Sequence, residues 1–123
     1  MVIYRSLNDA VPISGSVVTM GTFDGLHRGH QEIVKQVVVH AKSKNIQSVL
    51  ITYDPHPRHV LDTSSDKLSL LMNLDAKISI LEKYQVDTVL IIPFTKEFSH
   101  LTAKYFLEEV VIKYFHPIHV IVG

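Results

Sequence analysis

The sequence contains no cysteine and no tryptophan, and it carries no excess of charge of either sign. Without a thiol, the 123-residue chain forms neither disulfide bridges nor thiolate sites for zinc or an iron–sulfur cluster. Its 12 Lys and Arg residues balance its 12 Asp and Glu residues, which argues against broad electrostatic binding to nucleic acid or to an anionic membrane. The composition therefore predicts no nucleic-acid partner and no membrane partner.

Long hydrophobic runs are also missing. No segment approaches the roughly 20 consecutive apolar residues that span a bilayer, and residues 1–16 lack the apolar core of a secretory signal. With 46% hydrophobic and 20% charged residues, the composition is that of an ordinary globular protein. We therefore expect one soluble domain, located in the cytoplasm.

Short β-branched runs alternate with amphipathic stretches along the chain. The predicted strands cover residues 16–23, 47–53, 87–94 and 119–123, and the predicted helices cover residues 30–43, 74–84 and 103–115. Such alternation requires parallel strands joined by crossovers, so the predicted fold class is α/β: an open parallel sheet with helices on both faces. We expect the strand of residues 16–23 at the centre, between 47–53 and 87–94, because the loops after the first two strands must leave one edge to form one site.

Two residues are predicted to begin helices. Asn73 is suited to cap the helix of residues 74–84, and Thr102 is suited to cap the helix of residues 103–115. The segment of residues 54–71 is irregular and contains two prolines together with several Asp and Ser residues. A loop of this length within a compact domain is usually functional or mobile.

A segment rich in glycine and histidine, residues 20–31, joins the first predicted strand to the first predicted helix. Gly21 and Gly25 allow the backbone to turn sharply and to approach a ligand closely. His27 and His30 are three residues apart, so their rings point the same way once the chain is helical. With the N–H groups of the helix start, the two imidazoles form a site for anionic oxygen, most naturally that of a phosphate. The segment matches neither the P-loop nor the Gly-x-Gly-x-x-Gly dinucleotide fingerprint.

Less specific interpretations of these residues stay open. A His-x-x-His pair is often two unrelated surface residues, and Asp24 is equally suited to a turn. His56 and His59 are also close in sequence, but they lie in the irregular loop, where exposed polar residues are the norm. No metal site is predicted, because neither pair has a third ligand at a suitable local spacing.

Residues 21–30 (GTFDGLHRGH) resemble the nucleotidyltransferase signature Gly-x-Phe-Asp-x-x-His-x-Gly-His. More narrowly, the chain is similar to the FAD synthetase domain of bacterial bifunctional riboflavin kinase/FAD synthetases. Residues 52–58 (TYDPHPR) resemble that family's Phe-x-Pro-His-Pro segment, and residues 75–87 with 92–98 resemble its third strand–helix unit. The resemblance covers nearly the whole chain and implies the Rossmann-like fold of the His-x-Gly-His nucleotidyltransferases.

The resemblance also implies roles for individual residues. His27 and His30 are the implied catalytic residues, which hold the ATP phosphates and stabilise their charge. The implied nucleotide-binding residues are Gly21, Thr22, Phe23, Asp24, His27, Gly29 and His30. The implied flavin-binding residues are Tyr53, Pro55, His56, Pro57 and Arg58.

The activity that this resemblance implies is transfer of the adenylyl group of ATP to FMN, which gives FAD and pyrophosphate. ATP and FMN are then the substrates, and Mg²⁺ accompanies the ATP phosphates. No protein nucleophile is required, because a phosphate oxygen of FMN attacks. Catalysis then consists of positioning the reactants and stabilising the charge on the phosphates.

The family pattern continues beyond what the sequence contains. Its later Gly-x-Asp-x-x-Phe-Gly and Ser-Ser-Thr-x-x-Arg segments are missing, apart from Gly123 as a start of the first, and so is the riboflavin kinase domain. We therefore expect residues 1–123 to be a partial FAD synthetase domain with little activity of its own. Two alternatives stay open: a cytidylyltransferase or another nucleotidyltransferase of the superfamily, and a non-catalytic nucleotide- or flavin-binding fragment that pairs as a homo-oligomer through an open sheet edge.

Overall fold

The computed structural model describes residues 1–23, 26–54 and 74–122, and in these ranges five parallel strands form one sheet. The strands are β1 (Val2–Tyr4), β2 (Ser16–Met20), β3 (Gln47–Tyr53), β4 (Thr88–Ile92) and β5 (Pro117–Ile121). Their spatial order is β1-β4-β3-β2-β5. The predicted open parallel sheet is confirmed.

Helices cover both faces of this sheet. The helical elements are a 3-10 turn (Leu7–Asp9), α1 (Arg28–Ser43), α2 (Leu74–Lys83), α3 (Lys96–Ser99), α4 (Ala103–Phe106), a π-helical segment (Leu107–Ile112) and α5 (Lys113–Phe115). On one face, α1 and α2 share a core with the sheet that includes Val34, Leu81, Leu50 and Val89. Val34 and Val38 of the amphipathic helix predicted over residues 30–43 belong to that core.

The opposite face is covered by the continuous run of α4, the π-helical segment and α5. Val110 and Phe115 of this run share a second core with Val49 of β3 and Leu90 of β4. Because successive residues of a strand point to opposite faces, neighbouring residues of β3 and β4 belong to different cores. The two cores explain why β3 and β4 consist almost entirely of buried residues.

The central strand is β3, so the prediction of β2 at the centre is wrong. β2 pairs with β3 on one side and with β5, not β4, on the other. Hydrophobicity does not reveal this order, because β2, β3 and β4 are all buried on both faces. The hydroxyl of Ser16 donates to the carbonyl of Phe115 and so brings the residues before β5 beside β2.

The strand order reverses at β2. The chain passes from β2 to β3 and on to β4, and then returns to the far side of β2 as β5. In α/β sheets, ligands bind at such a switch point, at the carboxyl ends of the strands. Met20 lies opposite Ile51 in the register, so the loops after β2 and β3 leave the same edge, as predicted.

Several element ends differ from the prediction. Strand β1 was not predicted, because three residues at the sheet edge are too short for a periodic signal. Strand β2 ends at Met20 rather than at residue 23, and Phe23 adopts a left-handed φ of 47°, outside the range of a strand. Strands β4 and β5 also end earlier than predicted, and α1 begins two residues earlier, at Arg28.

The predicted helices are otherwise confirmed. The Thr102 hydroxyl accepts a hydrogen bond from the Tyr105 N–H at 3.0 Å, as expected of an N-cap. Asn73 and the rest of the irregular segment from residue 55 lie outside the described residues, so the cap predicted there stays a prediction. Among the helices of the described ranges, none has both the length and the apolar character needed to cross a bilayer.

Candidate active site at the start of helix α1

Phe23 and Leu26 anchor the connection between β2 and α1 in the core. Their side chains are only 4% and 1% exposed, although both residues have left-handed φ angles, of 47° and 42°. Such angles cost free energy in residues other than glycine, and burial of two large apolar side chains offsets that cost. The N–H of Leu26 also donates to the Phe23 carbonyl at 3.2 Å. These contacts hold the start of α1 close to the carboxyl end of β2.

His27 begins helix α1 as its N-cap residue. The N–H of Gly29 donates to Nδ1 of His27 at 3.2 Å. Because Nδ1 accepts this hydrogen bond, the neutral ring carries its proton on Nε2, which is then a donor. The His27 side chain is exposed, so a ligand in solution can reach it.

The rings of His27 and His30 stack on each other. Their centroids are 3.7 Å apart and their planes differ by 26°. The rings of Phe23 and His30 form a T-shaped contact, with centroids 5.5 Å apart. Both imidazoles therefore lie at the first turn of α1, where backbone N–H groups and the helix dipole favour an anion. This is the juxtaposition that the spacing of the two histidines predicts.

A cavity of about 200 Å³ opens beside this pair. Its lining residues are Met20, Gly21, Thr22, Phe23, His30 and Ile33. Sites that enclose a whole small ligand measure about 300–1,000 Å³, so this cavity fits a part of a ligand, such as a phosphate group. The structure thus brings together six of the seven residues predicted for the nucleotide, and the seventh, Asp24, lies outside the described residues.

Gly29 lies directly beneath the His27 ring. A Cβ atom at this position would be 3.2 Å from Cε1 and 3.4 Å from Nδ1 of His27. A larger residue would therefore require the His27 ring to shift by a few tenths of an ångström. Glycine allows this close approach of the ring to the backbone without such a shift.

Two residues that the sequence reasoning missed donate hydrogen bonds to the turn between β2 and α1. Nζ of Lys77, on α2, donates to the carbonyl oxygen of Thr22 at 2.7 Å. The hydroxyl of Thr52, on β3, donates to the same oxygen at 3.2 Å. Lys77 precedes the buried Leu81 by four residues, so its position on the inward face of the helix was a signal available in the sequence.

The predicted flavin-binding residues are described only in part. Tyr53 ends β3, whereas Pro55, His56, Pro57 and Arg58 lie outside the described residues. Tyr53 lies 5.7 Å from Phe94 and 5.9 Å from Phe98, measured between ring centroids, and Phe94 and Phe98 are 5.5 Å apart. Phe94 and Phe98 were not predicted as site residues, although both belong to the segment that carries the family resemblance.

The three rings border a second cavity, of about 370 Å³. Its lining residues are Tyr53, Phe94, Phe98, Ser99, Leu101, Thr102, Ala103 and Phe106. Burial raises the pKa of the Tyr53 phenol, because the low-polarity surroundings disfavour the phenolate. At neutral pH the cavity presents aromatic faces and uncharged hydroxyl groups, which suits a planar, largely apolar ligand.

The described residues do not form a magnesium site. No group of three or more His, Cys, Asp or Glu side chains in the described ranges is arranged to hold a metal ion. The site offers imidazoles and backbone donors, whereas Mg²⁺ prefers oxygen ligands. A magnesium ion would therefore arrive with the ATP phosphates, as part of the Mg·ATP substrate.

The family model for FAD synthetase matches residues 11–123. A bifunctional riboflavin kinase/FMN adenylyltransferase of Listeria monocytogenes is 35% identical over 107 residues, which cover 87% of this chain and 34% of the relative. The protein of the same name from Bacillus subtilis is 31% identical over 97 residues, which cover 79% of this chain and 31% of the relative. The chain thus spans about a third of the length of these curated relatives.

A solved structure shares the fold. The crystal structure of a macrolide-efflux protein from Streptococcus pneumoniae superposes with a TM-score of 0.86 and 27% sequence identity. The match covers all of this chain and 48% of the other. The family model spans the strand β2, the His27–His30 pair and the aromatic cavity, and on this basis the chain belongs to the FAD synthetase family.

Proposed function

We propose that the chain carries the nucleotide and flavin sites of an FMN adenylyltransferase, which transfers the adenylyl group of Mg·ATP to FMN. The observation that carries the proposal is the stacked pair of His27 and His30 at the start of α1, in a chain of the FAD synthetase family. The pair and the helix start provide donors for phosphate oxygens at the edge of the sheet where ligands bind.

The reaction proceeds by direct displacement. A phosphate oxygen of FMN attacks the α-phosphorus of ATP, a new P–O bond forms, and the bond to the leaving pyrophosphate breaks. The products are FAD and pyrophosphate, and no intermediate on the protein is required. The protein lowers the barrier by holding the two phosphates in line and by donating hydrogen bonds to oxygens on which charge develops.

Each imidazole contributes differently to this stabilisation. His27 donates from Nε2, because its Nδ1 is engaged by the Gly29 N–H. His30 lies half-buried against Phe23 and under the His27 ring, and it forms the wall of the cavity. Donors fixed in this way need no reorganisation when charge develops, which is the main source of such stabilisation.

The flavin ring occupies the aromatic cavity after β3 and β4. Tyr53, Phe94 and Phe98 provide aromatic faces, and the cavity of about 370 Å³ fits a planar ring system. β3 lies next to β2, so this cavity and the histidine pair open at the same edge of the sheet. The phosphate of FMN is then directed towards the phosphates of ATP.

The proposal is tested by calorimetric titration of the chain with Mg·ATP. His27→Ala and His30→Ala are each expected to weaken binding by about tenfold, the equivalent of one charge-assisted hydrogen bond. His119→Ala is the matched control: this exposed histidine of β5 lies opposite Val17, near the other end of β2. Wild-type affinity in both site variants would overturn the phosphate role of the pair.

The identity of the two substrates is tested by competition. We expect ATP to bind more tightly than CTP, and FAD to displace both ATP and FMN, because the product occupies both cavities at once. Tighter binding of CTP would favour a cytidylyltransferase instead. Simultaneous binding of FAD and ATP would show that the two cavities do not form one site.

A further inference from the structure

Lys77 is the buried charged residue of the described ranges. Its side chain is 7% exposed, and the other polar residues buried in these ranges are serines and threonines. An ammonium group buried in a protein is costly unless it is hydrogen-bonded, and lysine is rarely found in this situation. The hydrogen bond of this lysine to a turn of the candidate site points to a role beyond packing.

The ammonium group is held by the turn that forms the phosphate cavity. Its 2.7 Å hydrogen bond ends on the carbonyl of Thr22, and residues 21–23 line the cavity beside His30. Thr52 donates to the same carbonyl, and the Gly21 N–H donates to the carbonyl of Ile51. Strand β3 and helix α2 therefore both fix the orientation of the peptide group between Thr22 and Phe23.

That orientation matters for an anionic ligand. The C=O and N–H of a planar trans peptide point in opposite directions. When the Thr22 carbonyl is drawn towards Lys77, the N–H of Phe23 is directed the other way. A carbonyl oxygen facing a phosphate would repel it, whereas an N–H would attract it. A rotation of this one peptide group would therefore reverse the sign of the local field in the cavity.

We infer that Lys77 is a positioning residue for the nucleotide phosphates: by holding the Thr22 carbonyl, it orients the turn between β2 and α1 for an anion. The inference rests on the proposed function, since it assigns the phosphates of ATP to this cavity.

The test compares Lys77→Met with Lys77→Arg. Methionine keeps the length and the apolar stem but removes both the charge and the donor, whereas arginine retains both. We expect Lys77→Met to weaken Mg·ATP binding by about tenfold, with affinity for adenosine unchanged and with thermal stability equal to or above that of the wild type. Lys77→Arg is expected to recover part of the loss. Lys83→Met, at an exposed position of the same helix, is the control and is expected to bind like the wild type.

The outcomes separate this inference from the proposed function. If the wild-type chain does not bind Mg·ATP, the proposed function fails and the inference with it. If the wild type binds and Lys77→Met binds equally well, only the positioning role is overturned. A parallel loss of ATP affinity, adenosine affinity and thermal stability would identify a structural role and overturn it as well.

A second variant keeps the inference testable if Lys77→Met does not fold. Thr52→Val removes the other donor to the Thr22 carbonyl and preserves the shape of the side chain. We expect a loss of about threefold in Mg·ATP affinity without a change in adenosine affinity, because one of the two hydrogen bonds that orient the carbonyl remains. Unchanged ATP affinity in this variant would contradict the inference.

Discussion

The N–H of Gly29 donates a hydrogen bond to Nδ1 of His27, so a single imidazole caps helix α1 through one nitrogen and keeps the other as a proton donor. The same contact brings the His27 ring within 3.2 Å of the place where a Cβ of residue 29 would be. The capping geometry and the site proposed for phosphate therefore involve the same glycine. A substitution of Gly29 is expected to change helix stability and ligand binding by different amounts.

We predict that Gly29→Ala weakens Mg·ATP binding by about fivefold or more while the free energy of unfolding changes by less than about 1 kcal/mol. Alanine favours the helix by roughly 1 kcal/mol over glycine, which offsets the loss of the cap. The added Cβ, however, shifts the His27 ring by a few tenths of an ångström and so disturbs its stacking on His30. Calorimetric titration and urea unfolding of the same sample measure the two effects.

Gly15→Ala is the matched control for this prediction. A Cβ at residue 15 would meet only Ile46, at an ordinary contact distance of 3.7 Å. Gly15 precedes β2 and so lies at the end of that strand away from the site. We expect this variant to bind Mg·ATP like the wild type, and equal losses in the two variants would refute the role of the His27 contact.

Ser48 and Asp87 join the beginning of β3 to the residue before β4. The carboxylate of Asp87 accepts from the N–H and the hydroxyl of Ser48, at 2.9 and 3.1 Å, and the Ser48 hydroxyl accepts from the Asp87 N–H at 2.9 Å. Ser48→Ala removes two of these bonds and leaves a partly buried N–H without its partner. We predict a loss of about 1–3 kcal/mol in the free energy of unfolding, measured by urea denaturation.

Ser79→Ala serves as the comparison for Ser48→Ala. Its hydroxyl donates to the Asp75 carbonyl on the exposed side of α2, at 3.1 Å. Removing a surface hydroxyl of this kind should change the free energy of unfolding by no more than about 0.5 kcal/mol. If the two serine variants were equally stable, the Ser48–Asp87 hydrogen bonds would contribute nothing to the free energy of unfolding.

The raised pKa of Tyr53 predicts how the stability of the protein depends on pH. Burial raises the pKa of its phenol above the ordinary value of 10.0 in the folded protein. As the pH rises past about 10, the unfolded chain loses this proton first, so the stabilisation present at lower pH is lost as the pH rises through the folded-state pKa. Tyr53→Phe removes the proton from both states. Between about pH 9 and 11 we therefore expect a shallower decline of the unfolding free energy in Tyr53→Phe than in the wild type.

The measurement is a series of urea unfolding curves across that range. At neutral pH both proteins carry an uncharged ring at this position, so their difference there defines the baseline. Parallel declines of the unfolding free energy for the two proteins up to pH 11 would show that the pKa of the Tyr53 phenol is the same in the folded and unfolded states.

The sequence was informative about features that require a fixed spacing of residues along the chain. The interval of three between His27 and His30 predicts that their rings point the same way at a helix start, and the structure shows them there, stacked on each other. The alternation of buried strands with amphipathic helices indicates the fold class, because only a parallel sheet accommodates it. Both inferences depend on periods of a few residues, which a single sequence displays directly.

Strand order and contacts between residues far apart in the sequence could not be predicted in the same way. β2, β3 and β4 are equally apolar, so their order depends on how the connections cross rather than on composition. Lys77 is polar, and a pattern that assigns charged residues to the solvent side misses its contact with Thr22, 55 positions earlier. The aromatic cavity was missed for the same reason, because Tyr53 and Phe98 meet only when β3 and β4 pair.

The last prediction concerns that cavity. Phe98 contacts the rings of Tyr53, Phe94 and Phe106, so it is central to the aromatic surface proposed for the flavin. Phe98→Leu keeps an apolar side chain of similar bulk but removes the aromatic face. Because stacking on one ring is worth about 1–3 kcal/mol, we expect FMN affinity to fall by about fivefold or more, with Mg·ATP affinity unchanged. Quenching of flavin fluorescence measures the first and calorimetry the second. Tyr105→Leu, at an exposed aromatic residue outside the cluster, should bind FMN like the wild type. If Phe98→Leu also retained full FMN affinity, the flavin ring would have to bind away from this cavity, and the proposed alignment of the two phosphates along one sheet edge would fail with it.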